Sequence, residues 1–391
     1  MQVLLYMQFP GESILDGAGL HSWDPVVMLR TGSHDRRHSA DAVRTQLEED
    51  AVVNIGDVAR AAGVARSTAS YALSGKRAVS DEVRLRVQRV ALELGYTPNA
   101  GARALATSRA MVIGLLAQFL PDEFAPAMLQ YIQGVTNTAR DLGYDILLSS
   151  DADGTAALKR LTDSRMVDGV VLLNVAEHDD RLPVLRAAAQ PGALVGLPGD
   201  CTGVDVFDLD FEEAGRAMAE HLTALGHREL LLVSQPEHVV ERGGAYVWRL
   251  QNAAMETAAA RGARLLPVHA PSSQPEIGRA LHALLDAHPE ATGLLVNNEA
   301  AAAALPTVLH ERRLSVPGDL SVVGRYSDEF ARTFSLPFSS IESAPDRLGR
   351  MAVRQLVRRI EKEIADDAPH VVRFVAPELV DRGSTAPPPS R

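Results

Sequence analysis

From Met111 onward, short apolar runs rich in leucine and β-branched residues alternate with segments of helical period, and few architectures accept that rhythm. The runs are MVIGLLAQF at 111–119, YDILLSS at 144–150, VDGVVLLNV at 167–175, GALVGLP at 192–198, ELLLVSQ at 229–235, ARLLPVHA at 263–270, ATGLLVNN at 291–298 and LSVVGRY at 320–326. Between and after them the spacing predicts helices over 126–142, 154–164, 181–190, 211–225, 245–261, 275–287, 299–312 and 345–364. Apolar strands alternating with helices mean a parallel sheet covered on both faces. The span is about twice one doubly wound unit, so two α/β subdomains are expected, with ligands bound where the carboxyl ends of the strands face a cleft.

Upstream the pattern is different. Asn54 can cap a helix with Asp57 answering three residues on, Gly63 stops it, and a second helix follows over Arg66–Leu73. Ser80 caps a third, whose Val83, Val87, Val90, Ala91 and Leu94 form one apolar stripe ending at Gly95. Two short helices joined by Gly63-Val64-Ala65 make a helix-turn-helix in an all-α three-helix headpiece. Ala59, Ala62 and Ala69 allow close crossing, and Val58, Val64 and Leu73 fill the centre. The start of the second helix then presents Arg66, Ser67, Ser70 and Tyr71 outward, where an arginine and short polar groups can reach base edges in a major groove. Charge agrees with this placement. The chain carries −11 overall, but residues 53–109 hold nine basic and four acidic side chains, leaving −16 on the rest.

Other classes find no support. No apolar run approaches the roughly 20 residues that span a bilayer, and the opening MQVLLYMQFP lacks a basic segment and a cleavage pattern, so a cytoplasmic protein with no membrane association is expected. Cys201 is the sole cysteine, which rules out an internal disulfide or a cysteine zinc site. GxSxG, HExxH, Walker and strand-to-helix GxGxxG motifs are missing, and the histidines lack metal spacing; no enzyme activity, cofactor or metal is expected.

Residues 53–106 resemble the DNA-binding headpiece of the LacI/GalR family of transcription regulators. The resemblance rests on Asp57-Val58-Ala59, Ala62-Gly63-Val64, Thr68, Ser70, Val79-Ser80, Gly95-Tyr96 and Pro98-Asn99. It implies that Arg66 and Ser67 read bases, and that Thr68, Ser70, Ser74, Ser80 and Tyr96 touch phosphates or brace the reading helix; Asn54 joins this DNA-binding set. Tyr71 stands where the family commonly has arginine, which alters base preference there, because tyrosine cannot form arginine's paired bonds to guanine. NAGARALA at 99–106 is similar to the family's hinge helix: Asn99 caps it, Ala102 and Leu105 press on the minor groove, and Leu105 is the wedge at a central base step.

The body resembles the family's effector-binding core, itself similar to periplasmic sugar-binding proteins, through VDGVVLL, HLTALGHREL and VPGDLSVVG. Arg249 falls where the family places an arginine that grips the effector, and Glu299 where an aspartate accepts from it. Asp210 and Phe124 are further candidates, as an acceptor and a stacking surface. Two departures point to an altered pocket: Asn252-Ala253 after the arginine, and Gly324-Arg325-Tyr326-Ser327-Asp328 at a strand end that commonly reads GFDD. The implied protein is a homodimeric repressor of double-stranded operator DNA, controlled by a sugar or similar small polar effector. The expected layout is a poorly ordered leader at 1–51, the headpiece at 52–97, the hinge at 98–109, the effector and dimerisation domain at 110–383, and a flexible tail at 384–391 that carries no heptads.

Overall fold

The computed structural model describes residues 53–74, 79–96, 109–119 and 124–389; the expected leader and the hinge residues Asn99, Ala102 and Leu105 lie outside them. The chain divides into two units, Met1–Thr97 and Pro98–Arg391.

In the first unit three helices, α1 (Ile55–Ala61), α2 (Arg66–Ser74) and α3 (Asp81–Glu93), share one small core. Its start is held by a capping box: the Gly56 N–H donates to Asn54 Oδ1 at 2.8 Å, and the Asn54 N–H donates to Asp57 Oδ2 at 3.0 Å. Gly63 then takes a φ of +66°, a region that favours glycine, and turns the chain into α2. Val58, Ala59, Ala62, Ala69, Ala72, Val87 and Ala91 are buried together, with Val64, Leu73 and Tyr96 packed against them. The small side chains bring the helices close enough for Arg86 Nε to donate to the Ala62 carbonyl at 3.1 Å. Leu94, expected on the apolar stripe of α3, is exposed instead; it stands at the C-cap, one residue past the helix end at Glu93.

The second unit contains two six-stranded sheets. The first has the order β11-β5-β4-β3-β1-β2, with β1 (Val112–Leu116), β2 (Asp145–Ser149), β3 (Gly169–Leu172), β4 (Gly192–Val195), β5 (Asp205–Leu209) and β11 (Val372–Val375), every neighbouring pair parallel. The second has the order β12-β10-β9-β8-β6-β7, with β6 (Glu229–Ser234), β7 (Arg264–His269), β8 (Gly293–Val296), β9 (Ser321–Arg325), β10 (Ser339–Ile341) and β12 (Leu379–Val380). Only β12 runs antiparallel to its neighbour. The chain therefore passes between subdomains three times, after β5, after β10 and after β11.

Helices cover both faces of each sheet, as the alternation requires. α4 (Ala125–Asp141), α5 (Gly154–Asp163), α6 (Arg181–Ala187) and α13 (Pro345–Ile360) belong to the first sheet. α7 (Phe211–Ala224), α9 (Ala245–Ala260), α10 (Glu276–Ala287), α11 (Glu299–Arg312) and α12 (Asp328–Thr333) belong to the second, and a short α8 (Glu237–Glu241) precedes α9. α7 and α9 cross so closely that a Cβ on Gly215 would lie 2.2 Å from the Leu250 carbonyl oxygen, so only glycine fits there.

Residues 384–389, expected to be a flexible tail, are tied to the second sheet instead. Ser384 is buried, its Oγ donating to the Val322 carbonyl at 2.6 Å and accepting the Ser339 N–H at 2.7 Å. Buried His227 bonds the Ala386 carbonyl through Nε2 at 2.9 Å and Thr292 Oγ1 through Nδ1 at 2.8 Å. The Pro- and Ser-rich composition hides this, because the partners lie 45 to 159 residues away in the chain. Burial lowers the His227 pKa, so the ring is neutral in the fold; its contribution is full above the unfolded value and is lost as pH falls below about 6.5. His227→Ala strands the Thr292 hydroxyl and leaves the Ala386 carbonyl only its bond from Ser321 Oγ, at 3.0 Å. It is expected to cost about 1–3 kcal/mol in urea unfolding at pH 7.5.

Candidate functional site

The headpiece places its expected DNA-binding residues on and around α2. Arg66 and Ser67 open the helix and are exposed, while Thr68, Ser70 and Tyr71 are half-buried. Ser80 caps α3 by accepting the Val83 N–H, Tyr96 packs on the core, Asn54 caps α1, and Ser74 ends α2. The first turn of α2 holds no acidic residue, so its positive end is not offset by a carboxylate of its own.

In the second unit the carboxyl ends of both sheets face a cavity of about 620 Å³. Of the four expected effector residues, Phe124 and Glu299 line it. Phe124 packs edge-on to Phe330 at 5.9 Å and lies 5.8 Å from Phe334. Asp210 and Arg249 lie instead along an adjacent smaller groove with Arg216 and Phe374. Asp210 caps α7, accepting the Glu213 N–H at 2.9 Å. Arg249 donates through Nη1 to the Leu197 carbonyl at 3.0 Å and through Nη2 to Glu177 Oε2 at 2.7 Å. Its planar fork thus bridges the two subdomains and is occupied by the protein itself.

The polar centre of the cavity is a pair of side chains absent from the expected set. Arg325, at the end of β9, is buried; Nε donates to Asn297 Oδ1 at 2.7 Å and Nη2 to Glu299 Oε1 at 2.6 Å, while Nη1 makes no hydrogen bond among the described residues. Its guanidinium lies 5.6 Å over the Phe211 ring. Burial works against its charge, but the fields of Glu299, Tyr131 and Tyr246 and the bond to Glu299 together raise the pKa. The second oxygen of Glu299 accepts from Gln235 Nε2 at 2.8 Å.

Asp208 on β5 is the counterpart. It is buried, lines both cavity and groove, and has no guanidinium within ion-pair distance among the described residues. Its oxygens take the backbone N–H groups of Leu209, at 2.9 Å, and of Leu197. Burial pushes its pKa up to about 7 despite those bonds and the fields of Arg249 and Arg325. Burial likewise pushes the Tyr131 phenol above its usual range. Tyr131, Phe211 and Tyr246 give the cavity aromatic walls, and at the other end Arg181 is buried against Asp179 at 2.7 Å. One signal in the sequence pointed to the missed pair: each is a charge near the carboxyl end of a strand, next to apolar residues, in DVFDL and SVVGR. Among the described residues no group of three or more His, Cys, Asp or Glu could hold a metal ion, and no helix is long and apolar enough to cross a membrane.

A helix-turn-helix unit and a two-sheet unit with a ligand-sized cleft, carried on one chain, define a DNA-binding regulator with a receptor body. The family model "Bacterial regulatory proteins, lacI family" matches residues 54–99, and a periplasmic binding protein-like domain matches 219–385. The HTH-type transcriptional regulator CelR of Thermobifida fusca is 30% identical over 320 residues, covering 79% of this chain and 92% of that one. The HTH-type transcriptional repressor PurR of Proteus mirabilis is 28% identical over 347 residues, covering 86% and 98%. Among solved structures, the lac repressor dimer bound to operator and the anti-inducer ONPF superposes with a TM-score of 0.69 at 25% identity, covering 85% of this chain and 99% of that one. A CelR–cellobiose complex superposes at 0.59 with 26% identity and the same coverage. The chain belongs to the LacI family: it is a DNA-binding transcription regulator and not an enzyme.

Proposed function

We propose that this regulator is a homodimeric, cytoplasmic repressor whose grip on a pseudo-palindromic operator is set by a small sugar bound between its two α/β subdomains. The observation that carries this reading is the cleft itself: a cavity of about 620 Å³ with aromatic walls and a few fixed polar groups at the strand ends. A lac repressor bound to operator and anti-inducer, and a CelR bound to cellobiose, support extending both partners to this chain. In this reading Arg66 and Ser67 read bases; Asn54, Thr68, Ser70, Ser74, Ser80 and Tyr96 hold phosphates or the reading helix; and Tyr71 shifts base preference. Asn99, Ala102 and Leu105 form the hinge that enters the minor groove. Phe124 and Glu299 meet the sugar directly, while Arg249 and Asp210 act from the rim, Arg249 by holding the two subdomains together.

A sugar favours one closure of the cleft, closure sets the hinge spacing, and DNA and sugar are thereby coupled. The test is an electrophoretic mobility shift with DNA from upstream of the protein's own gene, at two salt concentrations, against a panel of sugars. Expected are sequence-specific binding that weakens steeply with salt and release by one sugar. Specific binding to none of that DNA at low salt contradicts the reading. Leu105→Ala is expected to weaken operator binding while leaving sugar affinity unchanged, as titrations of each ligand separately would register.

A further inference from the structure

Asp208 has no cation partner among the described residues to offset its burial. A carboxyl this deep is ordinarily paired with a cation, as Asp205 is on the same strand, bonded by Arg359. Asp208 lies within the fields of two guanidiniums and is bonded by neither, because both are taken. Arg249 is held by Glu177 and the Leu197 carbonyl, Arg325 by Glu299 and Asn297. What remains open is one polar edge on each side of the cavity floor: the Asp208 carboxyl, on the first sheet, and Arg325 Nη1, on the second.

We infer that Asp208 and Arg325 are the specificity-determining pair of the effector cavity, and that they select a neutral polyhydroxylated ligand. Hydroxyls of that ligand donate to Asp208 as a carboxylate and accept from Arg325 Nη1. This rests on the cavity being the effector site, and it names the class of effector.

The charge of the cavity argues for neutrality. Arg325 and Arg181 each already face a carboxylate, at 2.6 and 2.7 Å, so neither offers an uncompensated cation to an anionic ligand. A hydroxyl group, donor and acceptor at once, satisfies both open edges without adding charge, and Phe211 and Tyr246 line the cavity beside them.

The arrangement also links binding to protons. The groups acting on Asp208 are Arg249 of α9, Arg325 of β9 and Tyr131 of α4; Asp210, Glu212 and Arg216 of α7 share its groove, and Glu299 and Glu177 act through the two arginines. Its flanking strands β4 and β11 bring Leu194, Val195 and Phe374, none of which titrates. With a pKa of about 7 the empty site holds a proton for much of the neutral range. Hydroxyl donors bind the ionised form, so the acid proton leaves to solvent as the ligand enters. Affinity then scales with the ionised fraction, about 0.1 at pH 6 and about 0.9 at pH 8, roughly a tenfold change.

The experiment is isothermal titration of the full-length protein at pH 6 and pH 8. The probes are cellobiose, maltose and ribose as neutral sugars, and gluconate and glucuronate as sugar acids. Buffers of different ionisation enthalpy count protons. The expected result is a neutral sugar bound about tenfold more tightly at pH 8 than at pH 6, with release approaching one proton at pH 6. In Asp208→Asn, which preserves the shape of the neutral acid, affinity is weaker and flat with pH. The wild-type profile stands without the variant, so misfolding of the variant does not protect the inference. Affinity that is flat or falls with pH in the wild type overturns it, as does binding of sugar acids alone or of no probe. Failure of the regulator reading shows elsewhere, as an absence of operator binding in the mobility shift while the calorimetric result stands.

Discussion

Asp205→Ala is expected to destabilise the two-sheet unit by about 3–5 kcal/mol in urea unfolding at pH 7, the largest effect of any single polar substitution considered for this chain. Asp205 is fully buried at the start of β5, and Arg359, near the end of α13, is 5% exposed. Arg359 donates to it through both Nε, at 2.5 Å, and Nη2, at 3.1 Å, and Nη2 also reaches the Pro369 carbonyl at 3.0 Å. The Val371 N–H completes the carboxylate at 2.9 Å and His370 stands 3.5 Å away. The pair thus ties β5, α13 and the segment entering β11. Removing the carboxylate leaves a guanidinium in a site that excludes water, and that stranded charge is the main cost. Asp205→Ala with Arg359→Met removes both charges and is expected to recover most of the loss. A double variant as unstable as the single one would contradict this account. Burial tends to raise the Asp205 pKa, but the bonds from Arg359 and Val371 bring it below the usual value. Its contribution is therefore complete at neutral pH and is lost as pH falls from about 4 through the lowered value.

Arg66→Ala is expected to weaken specific operator binding by about 1–3 kcal/mol, roughly 5- to 150-fold, and to relax sequence preference at one base pair in each half-site. Arg66 is exposed at the first position of α2, beside exposed Ser67, and pairs with no carboxylate among the described residues. Binding curves for specific and scrambled duplexes separate its role from phosphate contact. A base-reading arginine affects the specific duplex far more than the scrambled one. Equal losses on both would make Arg66 a phosphate contact and return base reading to its neighbours.

How much of this was legible in the sequence depends on the range of the interactions involved. The headpiece is written locally: the Asn54–Asp57 box, the Gly63 turn and the small alanines act within a few residues, and the structure places them as read. The alternation of strands and helices was legible for the same reason. β5 escaped because Asp205 and Asp208 interrupt its apolar run; one is neutralised by Arg359, 154 residues away, and the other by burial. β11 and β12 escaped because they are edge strands with exposed side chains. Glu299 and Phe124, expected from the resemblance, line the cavity. The occupation of Arg249 by Glu177, 72 residues away, and the pairing of Arg325 with Glu299, 26 residues away, were not legible. Both depend on which elements the topology brings to one end of the two sheets. The Gly324–Asp328 stretch, read as a departure from the family's usual strand end, does carry Arg325, which lines the cavity.

The central claim is that one chain couples a sugar in the cleft to DNA on the headpiece, and coupling is reciprocal by thermodynamic necessity. The direct measurement is the dissociation constant of the bound sugar, determined on the full-length protein with and without saturating operator duplex. The account predicts that operator weakens sugar binding by the same factor by which the sugar weakens operator binding. A scrambled duplex of equal length should have a much smaller effect. Sugar affinity indifferent to operator would mean that the cavity and the headpiece do not communicate, and would contradict it.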